Sequence, residues 1–466
     1  MSPTGIAVER YNELLTRSDV AGLWQEFQVQ MQENMLFFGE RPVCNVLRPH
    51  FLHPQEFDYI ARAAETVLGA IHRLYQALSL KPLELQRLLH LSEVEQALTE
   101  LPDYYGRPDA SARIDAFWLP SEGLDAPGQL YFLEYNSDSP GGLAFGDVLT
   151  ELFLAQRPMQ EFAQEYRIQS VPVRQQVYAT LLDCYRDWAR AVGKGQAAVP
   201  NIAIVDWREV RTRNEFVLLA RVFERGGSRV VICDPDELEY QDGRLRVGAD
   251  FPVDIVYKRV VVNEFIEKFS GEGDGLEHPL VQAAKDQAVC VVNGFNVQLL
   301  YNKALFALLG DEAYAGLLTA EELAAVRRHV PWSRLVQERR TALAGREVDL
   351  VELILTHKDD LVLKPIRQYG GSGVVLGWET GQQEWEAALR VALEQPHIVQ
   401  RRVPTPRAYF PIYQDGLHFV SRTVDVDPYV WRGTRISHAG VRLGTGDLLN
   451  VSAGGSATPL FLVEKY

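Results

Sequence analysis

Cysteine is scarce in this sequence, and its spacing favours neither a zinc site nor a disulfide framework. The 466-residue chain has four cysteines, and no two of them form a CxxC pair. They are Cys44, Cys184, Cys233 and Cys290. Scattered cysteines of this kind are typical of buried, reduced thiols, so we expect no metal or redox role for them.

Long apolar runs and an excess of positive charge are also absent. No apolar run approaches the roughly 18 to 20 residues that a membrane span needs, and the start, MSPTGIAVERYNELL, lacks a basic segment followed by an apolar one. Lys and Arg total 47 against 62 Asp and Glu, a formal net charge of -15 that disfavours nucleic-acid binding over a broad surface. We therefore predict a cytoplasmic protein, without a membrane or nucleic-acid partner, that holds any phosphate in a local pocket.

The periodicity of apolar residues changes along the chain and predicts four segments of an α/β protein with α+β character. Residues 1–108 have helical spacing, and 109–195 contain a β-hairpin followed by helices. Residues 196–290 alternate strands with a helix, which predicts a small parallel sheet. Residues 291–466 begin as helix and continue as antiparallel strands with helical cover. No GxGxxG follows the first strand of the parallel sheet, and no GxSxG is present, so neither a dinucleotide site nor a serine nucleophile is indicated.

The hairpin ARIDAFWL…QLYFLEYN carries polar residues that contradict its apolar surroundings. A turn centred near residue 124 or 125 places Asp115 opposite Glu134, and the two-residue period puts Asn136 on the same face as Glu134. Opposed carboxylates destabilise a sheet unless a cation lies between them, and Mg²⁺ prefers such oxygen ligands. The following loop, SDSPGGLAFG, leads into a helix whose backbone amides favour an anion. The alternative is a solvent-exposed hairpin face with charges near its turn.

A second motif, VLKPIRQYGGSGVVLGWE, resembles a phosphate clamp in form. Lys364 lies on a buried-type strand and is followed by the run Gly370, Gly371, Ser372 and Gly373. Glycines let the backbone amides approach phosphate oxygens, and a lysine supplies a point charge. Lys303 in LLYNKALFALL is a candidate companion. The alternatives are a glycine-rich hairpin turn and a solvated helix lysine.

A third, weaker motif is the segment NVSAGGSATP at 450–459, which follows HAGVRLG. Small residues after a strand allow the backbone to approach a ligand closely. Arg442 is a candidate to face the same space.

Together these motifs resemble the ATP-grasp superfamily, and more closely its circularly permuted branch, which includes eukaryotic-type glutathione synthetase and glutathionylspermidine-synthase-like proteins. ARID followed by LEYN is similar to the superfamily's terminal pattern, but here it precedes the nucleotide-binding motifs, as in the permuted branch. The similarity covers roughly residues 110–466 in matching order, whereas 1–105 match no part of the family. The resemblance implies a permuted ATP-grasp fold, with a small parallel-sheet unit before the nucleotide-binding part and an added N-terminal helical region.

The resemblance also implies ATP and Mg²⁺ as cofactors and assigns roles to individual residues. The expected ATP-binding residues are Lys303, Lys364, Gly370, Gly371, Ser372, Gly373 and, at the adenine hinge, Gln400. The expected metal ligands are Asp115, Glu134 and Asn136. Arg113 and Arg442 are expected to neutralise charge on an acyl phosphate or a tetrahedral intermediate. Gln368 replaces an acidic residue that helps to hold magnesium in glutathione synthetase, so a metal here would depend more on the hairpin.

The implied activity is that of an ADP-forming ligase that joins small-molecule carboxylate and amine substrates. Amino acids, small peptides, glutathione-like thiols and polyamines all stay open as substrates. Two other hypotheses share the ATP residues: a phosphotransferase that forms no amide, and a nucleotide-binding sensor or scaffold without turnover. A homodimer is an open option by analogy with relatives.

Overall fold

The N-terminal region is helical, as predicted, but it also contains three short strands. The computed structural model describes residues 2–123, 128–195, 197–270, 275–368, 370–447, 449 and 454–466. The first elements are α1 (Pro3–Thr16), α2 (Val20–Glu33), β1 (Phe37–Phe38), β2 (Arg41–Pro42), β3 (His50–Leu52), α3 (Pro54–Ser79), α4 (Pro82–Leu89) and α5 (Glu93–Thr99). Side-chain caps begin several of these helices, since Ser2 accepts from the Gly5 amide at 3.1 Å and His53 caps α3. The strands β1 and β2 form a small antiparallel ribbon.

The predicted hairpin is present with the predicted register. Its strands and the elements after them are β4 (Ser111–Leu119), β5 (Gln129–Asn136), α6 (Phe145–Ala155), α7 (Arg157–Phe162), β6 (Tyr166–Gln169) and α8 (Val173–Ala191). Asp115 pairs with Glu134, as the turn position predicted, and Arg113 pairs with Asn136. A register irregularity follows directly after Asp115. The predicted turn centre near 124 or 125 lies outside the described residues.

The predicted parallel sheet is also confirmed. The elements of this part are β7 (Ile202–Val205), α9 (Arg213–Arg225), β8 (Val230–Cys233), β9 (Leu238–Gln241), β10 (Arg244–Val247), β11 (Phe251–Pro252), β12 (Ile255–Lys258), α10 (Val262–Lys268), α11 (Pro279–Lys285) and β13 (Cys290–Val292). The order is β13-β12-β7-β8 with every pair parallel. Because β13 belongs to this sheet, its last strand extends past the boundary predicted at residue 290. A small antiparallel sheet of β11, β10 and β9, which the sequence did not predict, lies beside it.

The C-terminal part contains two larger antiparallel sheets and a small two-stranded one. Its elements are α12 (Gln298–Tyr301), α13 (Ala304–Leu309), α14 (Ala320–His329), β14 (Ser333–Leu335), β15 (Arg340–Leu343), β16 (Arg346–Asp349), α15 (Leu350–Thr356), β17 (Leu361–Pro365), β18 (Val375–Leu376), α16 (Gln382–Glu394), β19 (His397–Arg401), β20 (Arg407–Tyr413), β21 (Leu417–Trp431), β22 (Arg435–Gly444), β23 (Ser456–Thr458) and β24 (Leu460–Lys465). One sheet has the order β14-β19-β17-β18, and α16 covers it through the buried Trp385 and Leu389. The other has the order β23-β22-β21-β4-β5.

Strands from distant parts of the chain therefore share sheets. In the larger sheet, β21 pairs with β4, so that Tyr429 lies opposite Arg113. The N-terminal region is joined to the same body, because β3 runs parallel to β24 and places Phe51 opposite Phe461. These pairings unite segments that the sequence divided into separate units.

Apolar packing holds these layers together. The largest buried cluster draws on the N-terminal helices, the hairpin, α6, α8 and the C-terminal strands. The four cysteines are free and buried, as predicted. Among the described helices, none combines the length and the apolar character that crossing a membrane requires.

Candidate functional site

The face of β4 that was predicted to bind a metal carries an arginine and an aspartate side by side. Arg113 and Asp115 are two residues apart on the strand, so their side chains lie on one face. The Nε atom of Arg113 donates to Oδ1 of Asp115 at 2.7 Å, and Nη2 donates to Oδ2 at 3.1 Å. The Nη1 atom of Arg113 also donates to the carbonyl oxygen of Gly141 at 2.8 Å. The hairpin is thereby tied to the glycine-containing loop that follows it.

Arg442 on β22 reaches the same aspartate from across the sheet. Its Nη2 atom lies 2.6 Å from Oδ2 of Asp115 and 2.5 Å from Oδ2 of Asp425. Its Nε atom lies 2.8 Å from Oδ2 of Asp427. Two arginines and three aspartates therefore form one buried cluster. Arg113 and Arg442, which the resemblance expects to neutralise charge on an intermediate, contact the same aspartate.

Asp425 and Asp427 were not identified from the sequence. They occupy alternate positions of the segment TVDVDPY on β21, and the period of a strand puts them on the same face. Two carboxylates on one face of an apolar strand are a signal that resembles the one noticed in the hairpin. Their partner could not be assigned locally, because Arg442 lies on the neighbouring strand.

The pKa values of the three carboxyl groups in this cluster shift in different directions. Burial opposes ionisation of Asp115, but the guanidinium groups of Arg113 and Arg442 outweigh it and lower its pKa. Burial raises the pKa of Asp427 well above its ordinary value, and Arg442 only partly offsets this effect. The pKa of Asp425 is raised for the same reason. Asp115 is therefore the carboxylate that the two arginines stabilise most.

The two predicted ATP lysines lie near Glu134. The Nζ atom of Lys303 is 3.2 Å from Oε2 of Glu134 and donates to the backbone oxygen of Gln368 at 2.7 Å. Lys303 is 8% exposed and directly precedes α13, so it is not the solvated helix lysine of the alternative interpretation. Burial acts to raise the pKa of Glu134, but the nearby charges of Lys303 and Lys364 outweigh it and the pKa is lowered.

Gln400, which the resemblance places at the adenine hinge, contacts Lys364 through its side chain. The Nζ atom of Lys364 donates to Oε1 of Gln400 at 2.7 Å, and Nε2 of Gln400 donates to Oγ of Ser333 at 3.1 Å. Gln400 is 2% exposed. Its side chain therefore positions the lysine, which the sequence did not predict. Burial lowers the pKa of Lys364 to about 8.

The glycine-rich run divides between two cavities. Gly370 and Gly371 have positive φ angles of 65° and 75° and line the cavity that also contains Arg113 and Glu134. Ser372 and Gly373 line a different cavity. The four residues predicted to cover phosphate thus do not all line the cavity beside the charged cluster. Gln368 also lines the second cavity.

The cavity beside the charged cluster has a volume of about 390 Å³. One wall is the loop that follows β5, which Glu215 of α9 holds by accepting from the amides of Gly142 at 3.0 Å and Leu143 at 2.8 Å. Arg259, at the end of the parallel sheet, also lines the cavity and is 4% exposed. Sequence reasoning found neither Glu215 nor Arg259, because each is a single charge within an otherwise ordinary helix or strand pattern.

Comparison with solved structures identifies the fold. No family model matches this sequence, and no curated protein is similar to it by sequence. A glutathione synthetase-like effector from Globodera pallida, in its apo form, superimposes with a TM-score of 0.57 over 98% of this chain and 97% of the effector, at 10% identity. This chain has a glutathione synthetase-like fold. The expected likeness to glutathione synthetase is confirmed at the level of the fold.

Two other structures are less similar. A putative γ-glutamylcysteine synthetase from Methylobacillus flagellatus KT has a TM-score of 0.40 at 10% identity, over 81% of this chain and 86% of that protein. The ATP-grasp ligase PsnB, complexed with a minimal precursor, Mg and ADP, has a TM-score of 0.26 at 10% identity, over 56% of this chain and 88% of its own.

Within the glutathione synthetase-like fold, the predicted metal ligands differ in what they already bind. Both oxygens of Asp115 are occupied by guanidinium groups, which leaves little room for a cation. Asn136 donates to Oε1 of Glu134 at 3.2 Å, so its own carbonyl oxygen and the Glu134 carboxylate lie together at the cleft. Among the described residues, no group of three or more His, Cys, Asp or Glu side chains forms a site for a metal ion. Glu134 and Asn136 fit magnesium as part of a shell completed by water and phosphate.

The third sequence motif contributes to the site only in part. Residues 450–453 of NVSAGGSATP lie outside the described residues. Ala457 and Thr458, at its end, line the cavity on β23. Arg442 lines the same cavity, as predicted.

Proposed function

We propose that this protein is an ATP-dependent ligase that joins a carboxylate to an amine and releases ADP and phosphate. The observation that carries the proposal is that Lys303 and Lys364 lie close to Glu134, which lines one cavity together with Arg113 and Arg442. Phosphoryl transfer depends mainly on positioning and on neutralising charge. A site made of two lysines, two arginines and glycine amides is suited to that chemistry, and it requires no covalent nucleophile.

The lysines and the glycines are proposed to bind ATP. Lys303 is buried and Lys364 is half-buried; these cations lie on different elements, and both are close enough to Glu134 to lower its pKa. Two cations beside one carboxylate leave positive charge for phosphate oxygens. The positive φ angles of Gly370 and Gly371 allow their backbone to lie against a ligand in the same cavity. Gln400 keeps Lys364 in place.

Magnesium is proposed to bind to Glu134 and Asn136. When bound, it would supply charge neutralisation to the phosphates.

We assign Asp115 a different role from the one expected from sequence. Its carboxylate holds Arg113 and Arg442 in position and makes direct contacts with both. Both arginines line the cavity, where they can bind the oxygens of the carboxylate substrate and of its acyl phosphate.

The proposed reaction has two steps. A carboxylate oxygen of the substrate attacks the γ-phosphorus of ATP, the bond to the β,γ-bridging oxygen breaks, and ADP leaves. The amine nitrogen then attacks the acyl carbon of the acyl phosphate, inorganic phosphate leaves, and the amine loses a proton. Enclosure by the wall of the cavity would protect the acyl phosphate from water.

Circular permutation is part of the proposal. The hairpin β4–β5 precedes the parallel sheet in the chain, yet it completes the sheet formed by β21, β22 and β23. A fragment that has moved from the end of a domain to a position before it would produce this pairing. A cytoplasmic location and a homodimer stay predictions.

A coupled ADP-release assay tests the function. Purified protein with ATP and Mg²⁺ is given pooled amino acids, dipeptides and polyamines, first with a carboxylate alone and then with an amine added. We expect ADP release that requires both substrates. Glu134→Gln and Lys364→Ala should lower the rate by at least about a hundredfold, the scale of losing one electrostatic catalytic group. Glu384→Gln, at an exposed position of α16, should leave the rate unchanged.

Two results would contradict the ligase. ADP release that needs a single acceptor and no amine, with a phosphorylated product, would identify a phosphotransferase. ATP binding without turnover in any pool would identify a nucleotide-binding protein. Retention of folded structure by Lys364→Ala, seen by circular dichroism, separates a lost activity from a lost fold.

A further inference from the structure

The cavity beside the charged cluster is lined by both polar and apolar residues. Arg113, Glu134, Arg442 and the two glycines belong to its polar lining. Its apolar lining includes Phe145 and Leu149 of α6. These two residues are four positions apart and therefore lie on the same side of the helix. Both belong to the largest apolar cluster of the protein.

The N-terminal region also contributes to the apolar lining. Val43 and Phe38 line the cavity from the ribbon of β1 and β2 and the residues after it. The carbonyl oxygen of Val43 accepts from the amide of Ala457 at 2.7 Å, which joins this region to β23. The amide of Gly39 donates to the carbonyl oxygen of Arg211 at 3.1 Å and fixes the ribbon beside α9. The part of the chain that matches no family motif thus forms a wall of the candidate site.

Three of the acidic groups that line the cavity already have partners. Asp138 forms an ion pair with Lys258 and accepts from the amide of Val262 at 3.0 Å. Glu215 accepts from two backbone amides, and Asp427 lies 2.8 Å from Nε of Arg442. A polyamine or a basic side chain would need carboxylates without such partners along its length. These three carboxylates therefore offer less charge to a cationic ligand than unpaired ones would.

His438 is a polar but uncharged residue in the lining of the cavity. It lines the cavity and is 6% exposed, and its Nδ1 atom has no hydrogen-bond partner among the described residues. Burial lowers the pKa of this imidazole to about 4, so it is neutral at pH 7. A volume of about 390 Å³ is near the lower end of the roughly 300 to 1,000 Å³ of small-molecule sites.

We infer that one of the two joined substrates carries an uncharged aliphatic or aromatic side chain, which lies between α6 and the β1–β2 ribbon. This inference rests on the proposed function. It narrows the substrate class, because glutathione-like thiols and polyamines present charged or strongly polar groups to this wall. The carboxylate or amine of the substrate then lies toward Arg113 and Arg442.

A matched pair of leucine variants tests the inference. Leu149 lines the cavity, whereas Leu152, on the same helix and also buried, lies outside the wall that the described residues form. ADP release is measured with leucine, phenylalanine, alanine, serine, aspartate, lysine and spermidine, each offered as the carboxylate or the amine. We expect leucine or phenylalanine to have a kcat/KM at least about tenfold above serine, the effect of apolar contacts in a pocket.

We expect the variants that alter the cavity to change KM much more than kcat. Leu149→Ala should raise KM for leucine with little change in kcat, and Leu152→Ala should not. Ala457→Leu, which fills the cavity from β23, should raise KM for phenylalanine about tenfold and affect alanine little. Preference for a charged side chain, or equal effects of Leu149→Ala and Leu152→Ala, would overturn the inference while leaving the ligase intact.

Absence of ADP release with every substrate would count against the proposed function, so a binding measurement decides the inference separately. Thermal unfolding is followed with phenylalanine, lysine or spermidine added. A rise in Tm with phenylalanine that is lost in Ala457→Leu supports the apolar site. A rise with spermidine or lysine only, or no rise with phenylalanine, overturns it.

Discussion

The Nη2 atom of Arg442 lies 2.6 Å from Oδ2 of Asp115, although 327 positions separate the two residues in the chain. The contact joins β22 to the hairpin and connects the acidic residues of β21 to Arg113. Because the cluster is buried, its ionic groups depend on one another for their charge. Loss of one arginine should therefore affect both stability and the pH at which stability is greatest.

Removal of Arg442 is predicted to destabilise the protein in a pH-dependent way. Arg442→Met leaves three buried carboxylates with one arginine, and we expect the free energy of unfolding at pH 7 to fall by about 3 to 5 kcal/mol. Without the guanidinium, the pKa of Asp115 in the folded state rises from its lowered value, and the pKa values of Asp425 and Asp427 rise further above their unfolded values. The folded state then binds more protons, so part of the lost stability should return as the pH falls from 7 to 5.

Urea unfolding at pH 7 and pH 5 measures this effect. Arg435→Met, at an exposed position of the same strand, is the control and should be nearly neutral at both values. An Arg442→Met variant that is destabilised equally at pH 5 and pH 7 would contradict the prediction.

ATP use is predicted to depend on the protonation of Lys364. Its pKa of about 8 means that the free protein loses this cation as the pH rises through 8. Since kcat/KM reports the ionisation of the free enzyme, kcat/KM for ATP should decline above about pH 8. Gln400→Glu places a carboxylate where the amide now accepts from Lys364, and should move the decline upward by about one to three pH units.

The control for this profile is Ser333→Ala. It removes the partner of the Gln400 amide nitrogen without adding charge, so the midpoint of the decline should stay near that of the wild type. If Gln400→Glu leaves the midpoint unchanged, Lys364 is not the group that titrates.

The buried pair Asp138–Lys258 is predicted to fix the loop after β5 to the parallel sheet. The Lys258 side chain is fully buried and Asp138 nearly so. Lys258→Met should lower the free energy of unfolding by about 3 to 5 kcal/mol, because it leaves Asp138 buried without a cation. The double variant Asp138→Asn/Lys258→Met should recover a large part of that loss, which a double-mutant cycle from urea unfolding measures. Additive losses would rule out direct coupling.

The Glu215 side chain is predicted to hold the loop after β5 by accepting hydrogen bonds from the backbone amides of that loop. Glu215→Ala leaves the amides of Gly142 and Leu143 without their acceptor, and should cost about 1 to 3 kcal/mol. KM for the substrate should rise as well, because this loop lines the cavity. Glu224→Ala, at an exposed position of the same helix, should change neither quantity. A loss of stability without any change in KM would limit Glu215 to a structural role.

The sequence by itself determined the local features of this protein. The two-residue period and the turn residues set the register of Asp115 against Glu134, and the alternation of strands and a helix predicted the parallel sheet. Lys364 before a glycine run also follows from the local pattern. These features are local because they depend on side-chain periodicity and on backbone preferences within a few residues.

Tertiary structure alone decided which of these local features meet. Strand β4 pairs with β21, β3 pairs with β24, and the ribbon after α2 forms a wall of the cavity. The role of Gln400 in holding Lys364 and the split of the glycine run between two cavities were decided in the same way. Such contacts join residues far apart in the chain. They arise because apolar faces are buried against one another and because this burial brings opposite charges together. Neither effect can be predicted from the local periodicity of side chains.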